Sequence, residues 1–155
     1  MKPQIGITDK YLNQINVLLT LNLSNAMAVY IKSKKAHWNV SGESFMELHK
    51  LFEDHYTQLE ESIDKTAERI VKLGGQAIGT MGEFLKYSSI KEYPGKYPSA
   101  IDTIKELLKD HETIIIQLRK DIAICADKDI ATADFLTGLI EKHETIAWTL
   151  RRYLS

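Results

Sequence analysis

KAHWNVSGESFMELHK, residues 35–50, joins two periodic stretches through a short polar break, and its reading decides the fold. Ahead of it, from Thr8 to about Trp38, Leu12, Ile15, Leu18, Leu19, Leu23, Ala26, Val29 and Tyr30 recur at three- and four-residue steps. That spacing predicts an amphipathic helix. Asn39 to Gly42 break the pattern. Ser44 followed by Glu47 resembles a capping box, and Phe45, Leu48, Phe52, Tyr56, Leu59, Ile63, Ala67 and Ile70 carry a second helical stripe until Gly74 and Gly75 stop it. The quoted stretch is therefore the turn of a helical hairpin, with His37 closing one helix and His49 opening the next.

Residues 76–98 hold Gly79, Gly82, Pro94, Gly95 and Pro98, a crossover with one short helix near Glu83 to Tyr87. A connection of this length can join two helices that run the same way. Ser99 with Asp102 opens a third long helix, carried by Ile104, Leu107, Leu108, Ile115, Leu118, Ile122 and Cys125 to about Ala126. A fourth runs from about Ala131 to Tyr153 through Phe135, Leu136, Leu139, Ile140, Ile146 and Leu150. Four long helices with one long crossover give an all-α, ferritin-like four-helix bundle. A chain of 155 residues fits one such domain over residues 1–155, and no repeat or linker interrupts it.

Composition narrows the function classes. Apolar residues at 44% and charged residues at 26% match a globular chain, so neither disorder nor a membrane protein is indicated. The net charge of −1 supplies no global field to attract nucleic acid or an anionic membrane. The N-terminal residues lack the plan of a secretory signal and no apolar run reaches a membrane span, so a cytoplasmic protein is expected. The single cysteine, Cys125, has no partner for a disulfide or a zinc site and reads as a small core residue.

The acidic edge of the second helix carries the chemistry. At about 100° per residue, His49, Glu53, Asp64 and Glu68 fall in one row bordering the apolar stripe. Each of the pairs His49–Glu53 and Asp64–Glu68 spans one turn, so each can converge on one ion. Imidazole with carboxylate suits iron, manganese or zinc. The bland alternative is a solvated helix face on which Lys50, Lys65, Arg69 and Lys72 pair with the acids. A di-iron site inside one bundle needs Glu-x-x-His motifs and acids from all four helices. No histidine here has Glu three positions before it, and the chain is free of acids between Asp9 and Glu43. Any further ligands must come from His37 or from another copy of the chain.

HWNVSG at 37–42, FMELH at 45–49, FE at 52–53 and DKTAERIVKLGG at 64–75 resemble the signature of the Dps miniferritins, the DNA-binding proteins from starved cells. The resemblance implies a hollow homododecamer with ferroxidase sites at two-fold dimer interfaces. His37, His49 and Glu53 would come from one subunit and Asp64 and Glu68 from its mate. Glu53 stands where the family often has Asp, which bears on the affinity of the second iron. By the same resemblance, paired Fe(II) ions are oxidised, preferentially by hydrogen peroxide rather than dioxygen, and ferric mineral fills the cavity; Zn2+ or Mn2+ are possible substitutes. Since ligands must be deprotonated, iron oxidation is expected to fall as pH drops below the histidine range.

Other residues take roles from the resemblance, each beside a plainer one. Trp38 and Trp148 are candidate electron donors near the site, or packing aromatics. Lys34 is a candidate partner for the site's carboxylates, or an ordinary solvated lysine. Asp127, Asp129 and Asp134 surround the junction of the last two helices, where three-fold pores occur in such shells; alternatively Asp129 caps the fourth helix and Asp134 favours its first-turn dipole. Before the first helix the only basic residue is Lys2, with Lys10 close behind, so DNA binding is expected to be weak and salt-sensitive. Two alternatives to the ferroxidase remain: a DNA-binding nucleoid-protecting protein with secondary iron activity, and a structural shell that has lost activity.

Overall fold

The computed structural model describes residues 3–155, so Lys2 lies outside the described residues. The helices are α1 (Asp9–Asn39), α2 (Phe45–Lys72), α3 (Met81–Tyr87), α4 (Ala100–Cys125) and α5 (Ile130–Tyr153). Their extents follow the apolar periodicity closely, and Pro94 and Pro98 fall in the crossover, where a missing N–H breaks no helical ladder.

Contacts fix the directions. His37 faces His49 while Asn16 Nδ2 donates to the Leu73 carbonyl, so α1 and α2 are antiparallel. Lys32 meets Asp110 and Asn22 meets Asp121, so α4 runs against α1. His55 meets Thr149 and Arg69 meets Asp129, so α5 runs against α2. Consequently α2 and α4 run the same way, as the long crossover allows. Ile15, Leu19, Phe52, Leu59, Ile104, Leu118, Leu136 and Leu150 meet in the core, none more than 2% exposed. Truncating Phe52 to Ala would cost about 3–5 kcal/mol in lost burial and cavity formation. Cys125 is buried in the same core, and burial pushes its thiol up.

The ends of α2 and α3 show where local signals succeed and fail. The capping box expected at Ser44 and Glu47 does not form. Ser44 sits at the N-cap with φ −92° and ψ 25°, outside the extended geometry that aims a hydroxyl at the first turn, and its side chain makes no capping bond. The chain's capping box is instead at α3, where extended Thr80 accepts from the Glu83 N–H and the Glu83 carboxylate accepts from the Thr80 N–H. At the far end of α2, the Gly74 N–H donates to Val71 and the Gly75 N–H to Ile70, with Gly74 at φ 79°. That is a Schellman closure, which needs a left-handed residue. Among the described residues, no helix is long and apolar enough to cross a membrane.

Candidate metal centre

His37, in the last turn of α1, and His49, in the first turns of α2, are stacked with ring centroids 3.7 Å apart and planes 22° apart. Each is tied to the other's main chain: Nδ1 of His37 lies 2.7 Å from the His49 carbonyl, and Nδ1 of His49 lies 2.9 Å from the His37 carbonyl. A carbonyl only accepts, so both Nδ1 atoms carry the proton and both Nε2 atoms present lone pairs. This is the orienting bond that metal-binding histidines characteristically make. The sequence folds this way because Val40 is extended and Gly42 adopts φ 106°, letting the chain reverse within five residues and set residue 37 against residue 49. Both rings are half-buried, rooted in the bundle and open on one side.

Glu53 lies one turn beyond His49 on α2 with its carboxylate exposed. Asp64 and Glu68 are also exposed, and Glu68 is engaged only by a surface pair with Lys72 at 2.9 Å, the kind worth little in water. At 1.5 Å per residue, the 49–53 pair and the 64–68 pair are separated by roughly 22 Å along α2. One chain therefore brings His37 and His49 together, with Glu53 one turn further along α2, sets Asp64 and Glu68 toward the other end, and does not unite the five. Among the described residues, no group of three or more His, Cys, Asp or Glu can hold a metal ion. A groove of about 830 Å³ between α1, the crossover and α4 is lined by Lys35, Asn39, Tyr93 and Tyr97 and includes none of the five.

Behind the histidines lies an aromatic cluster that the sequence reading did not single out. The Tyr56 ring meets His37 edge-on at 5.3 Å, and the Tyr30 ring meets Tyr56 edge-on at 6.2 Å. Its signal is in the chain: Tyr30 stands seven residues before His37 and Tyr56 seven after His49, two turns along the same helix faces. Lys34 does not reach the carboxylates of its own chain. Its ammonium sits over Tyr56 at 4.5 Å and Tyr30 at 5.1 Å, and hydrogen bonding to Tyr30 raises its pKa. Trp38 and Trp148, expected as packing aromatics or electron donors, are 67% and 57% exposed, so neither packs in the chain's own core. Among the described residues, neither makes a ring contact with the histidine pair.

The three aspartates at the α4–α5 junction part company. Asp127, in the turn, and Asp134, on α5 beyond its first turn, are exposed. Asp129 is 8% exposed; it caps α5, accepting from the Thr132 N–H, and it pairs with Arg69 at 2.8 Å. Burial alone would push its carboxyl up, but the Thr132 hydrogen bonds and the Arg69 charge overcome that and hold it below the usual range. Its carboxylate is thus engaged within the bundle, while those of Asp127 and Asp134 are exposed.

Antiparallel hairpins joined by a crossover, with histidines and carboxylates on α2, are the parts of a ferritin-like protein, and residues 16–155 match the ferritin-like domain family. A DNA protection during starvation protein of Brevibacillus brevis is 37% identical over 145 residues, covering 90% of this chain and 94% of that protein. A low temperature-induced protein of Nostoc sp. strain PCC 7120 is 44% identical over 152 residues, covering 97% of this chain and 85% of that one. The crystal structure of a Dps protein from Vibrio cholerae O1, a member of a broad superfamily of ferritin-like diiron-carboxylate proteins, superposes with a TM-score of 0.93 at 26% identity, covering 99% and 97% of the two chains. The chain belongs to the Dps miniferritins.

Proposed function

We propose that this chain is an iron-storing, iron-detoxifying ferroxidase whose oxidation centre is built between two copies. The observation that carries this reading is the reciprocal tie of His37 and His49, which presents two imidazole lone pairs beside Glu53 at one end of α2, while Asp64 and Glu68 wait at the other. A two-fold axis crossing the middle of α2 would pair each end with the opposite end of its mate, completing two centres per dimer. His37, His49 and Glu53 of one copy and Asp64 and Glu68 of the other would bind Fe(II), two ions per centre, with zinc or manganese as substitutes. Hydrogen peroxide is the preferred oxidant over dioxygen. Two electrons reach it from two ferrous ions, and ferric mineral collects inside a homododecamer in the cytoplasm. Exposed Asp127 and Asp134, repeated about a three-fold axis, would draw ferrous ions inward. DNA protection as the main role is disfavoured by the net charge of −1.

Complementation tests the shared site. Neither His37→Ala/His49→Ala nor Asp64→Asn/Glu68→Gln is expected to oxidise Fe(II) with peroxide. When the two chains are unfolded together and co-assembled at random, half of the dimers are mixed and each mixed dimer regains one of its two sites, returning roughly a quarter of wild-type activity. Two inactive chains that stay inactive in a demonstrated mixed shell would refute the shared centre. Size-exclusion chromatography reads the assembly.

A further inference from the structure

We propose that the groove between α1, the crossover and α4 binds a small ligand that joins an aromatic ring to a phosphate, as a free mononucleotide does. The proposal stands apart from the ferroxidase reading, since none of the five candidate iron ligands lines the groove. Its volume of about 830 Å³ lies within the span of small-molecule sites, about 300–1,000 Å³. The crossover forms one wall, and its shape is fixed. Pro94 and Gly95 occupy the middle of a turn in which the Lys96 N–H donates to the Tyr93 carbonyl at 3.3 Å, and Gly95 at φ 72° supplies the left-handed residue of a type II turn. Two lysines of α1 strap this segment down: Lys32 donates to the Lys91 carbonyl at 3.0 Å and Lys35 to the Lys96 carbonyl at 2.7 Å. A wall held this way does not have to be ordered by its ligand.

Tyr93 and Tyr97 line the groove and are 44% and 70% exposed, so both rings keep surface for stacking. Lysines meet the same rings: Lys35 Nζ stands 4.8 Å from the Tyr97 centroid, and Lys32 and Lys96 stand 5.7 and 5.9 Å from that of Tyr93. Lys32 is neutralised within the protein by Glu106 at 2.6 Å and Asp110 at 2.5 Å. Lys35, Lys96, Lys105 and Lys109 then face one further lining acid, Glu92. Among the described residues, Lys96 and Lys109 form no ion pair, and Lys105 reaches only Asp102, at 3.9 Å. On a chain of net charge −1, the groove thus gathers an excess of cations. A phosphate, at about −1.5 to −2 near neutral pH, is an anion that several ammonium groups can share. An acidic peptide would satisfy the lysines and leave both phenol rings bare; a flat base on a phosphate uses both features.

Calorimetric titration of the iron-free, full-length protein with adenosine 5′-monophosphate tests the site, beside adenosine, ribose 5-phosphate and a single-stranded oligonucleotide. The monophosphate should bind saturably, one per subunit, and adenosine and ribose 5-phosphate should each bind at least about tenfold more weakly. Tyr97→Ala should weaken binding at least about fivefold while Tyr97→Phe keeps it, because the ring and not the hydroxyl stacks. Lys96→Gln should weaken binding and flatten its dependence on salt, whereas Lys120→Gln, outside the groove, should change neither. No saturable binding of the monophosphate, equal binding of either fragment, or affinity unmoved by both Tyr97→Ala and Lys96→Gln overturns the proposal. An oligonucleotide that binds more tightly per site than the monophosphate overturns the assignment to a free nucleotide. Should the variants fail to fold, the wild type decides alone: 8-azidoadenosine monophosphate should photolabel residues 91–97, and labelling confined to other segments refutes the site. A protein that oxidises iron but binds no nucleotide loses this site only, and one that binds nucleotide without oxidising iron loses only the ferroxidase reading.

Discussion

Each histidine of the pair at positions 37 and 49 is oriented by a backbone oxygen, not by the other's side chain, and this separates two effects of mutation. Replacing His49 by Ala leaves the residue 49 carbonyl in place, so His37 keeps its tautomer and direction while one ligand is lost. His37→Ala behaves symmetrically. Because both rings are half-exposed and a freed carbonyl can turn to water, each single change should shift unfolding free energy by under about 1 kcal/mol. Peroxide-driven iron oxidation should drop by at least about tenfold. Thermal unfolding beside stopped-flow oxidation checks both; a variant that loses several kcal/mol would mean the pair is chiefly structural. The residue types and their spacing were legible in the chain, since a histidine on each side of a turn is a local pattern. The Tyr56 contact was less so, because it depends on the pitch at which α1 meets α2. Lys34 shows the same limit: its place over two tyrosine faces, both within 5.1 Å, depends on that pitch as well.

The elements were legible because their lengths are set by apolar spacing, whereas their ends are set by backbone angles that composition only hints at. Ser44 has the residue type of a cap without the ψ that makes one, while Thr80 has both. At the end of α2 the two glycines do different things. Gly74 supplies the left-handed conformation at φ 79°, so Gly74→Ala should cost about 1–2 kcal/mol in backbone strain. Gly75 has no such angle, but a Cβ there would lie 2.8 Å from Ile70 and from Asn16, the side chain that donates to the Leu73 carbonyl. Gly75→Ala should therefore destabilise by packing, and the further change Asn16→Ala, which removes one clashing side chain, should recover part of the loss. Denaturant midpoints of Gly75→Ala with and without Asn16→Ala test this; purely additive costs would show that no clash exists. The closure matters for function because it fixes the last turns of α2, which carry Asp64 and Glu68.

Across the whole molecule, the three histidines not at the surface site meet inside the bundle, one from each of three helices: His55 on α2, His111 on α4 and His143 on α5, none more than 3% exposed. Nδ1 of His111 lies 2.8 Å from Nδ1 of His143, so one must donate and the other accept, an arrangement that two charged rings cannot keep. The Thr149 hydroxyl gives its hydrogen to the Ile146 carbonyl, so it accepts from Nε2 of His55. Burial lowers His143 to about 4 from an ordinary 6.5, lowers His55 to about 4, and holds His111 well below its usual value. A folded pKa below the unfolded one means that the unfolded chain gains protons first on acidification. Stability is thus whole above about pH 6.5 and drains away toward pH 4, with His143 alone accounting for about 2 kcal/mol at pH 5. Asp110 and Asp121, which burial pushes up, take up protons in the folded state and oppose this trend as pH falls toward their range. The His111→Leu/His143→Leu chain removes the buried pair while leaving those carboxylates, and replacing both partners with apolar groups avoids an orphaned nitrogen. Compared at equal subunit concentration, its unfolding temperature should fall less between pH 7 and pH 5 than that of the wild type, whatever its value at pH 7. Parallel pH dependences would show that the core histidines do not set acid stability, and the trend would then belong to the carboxylates or to the contacts between subunits.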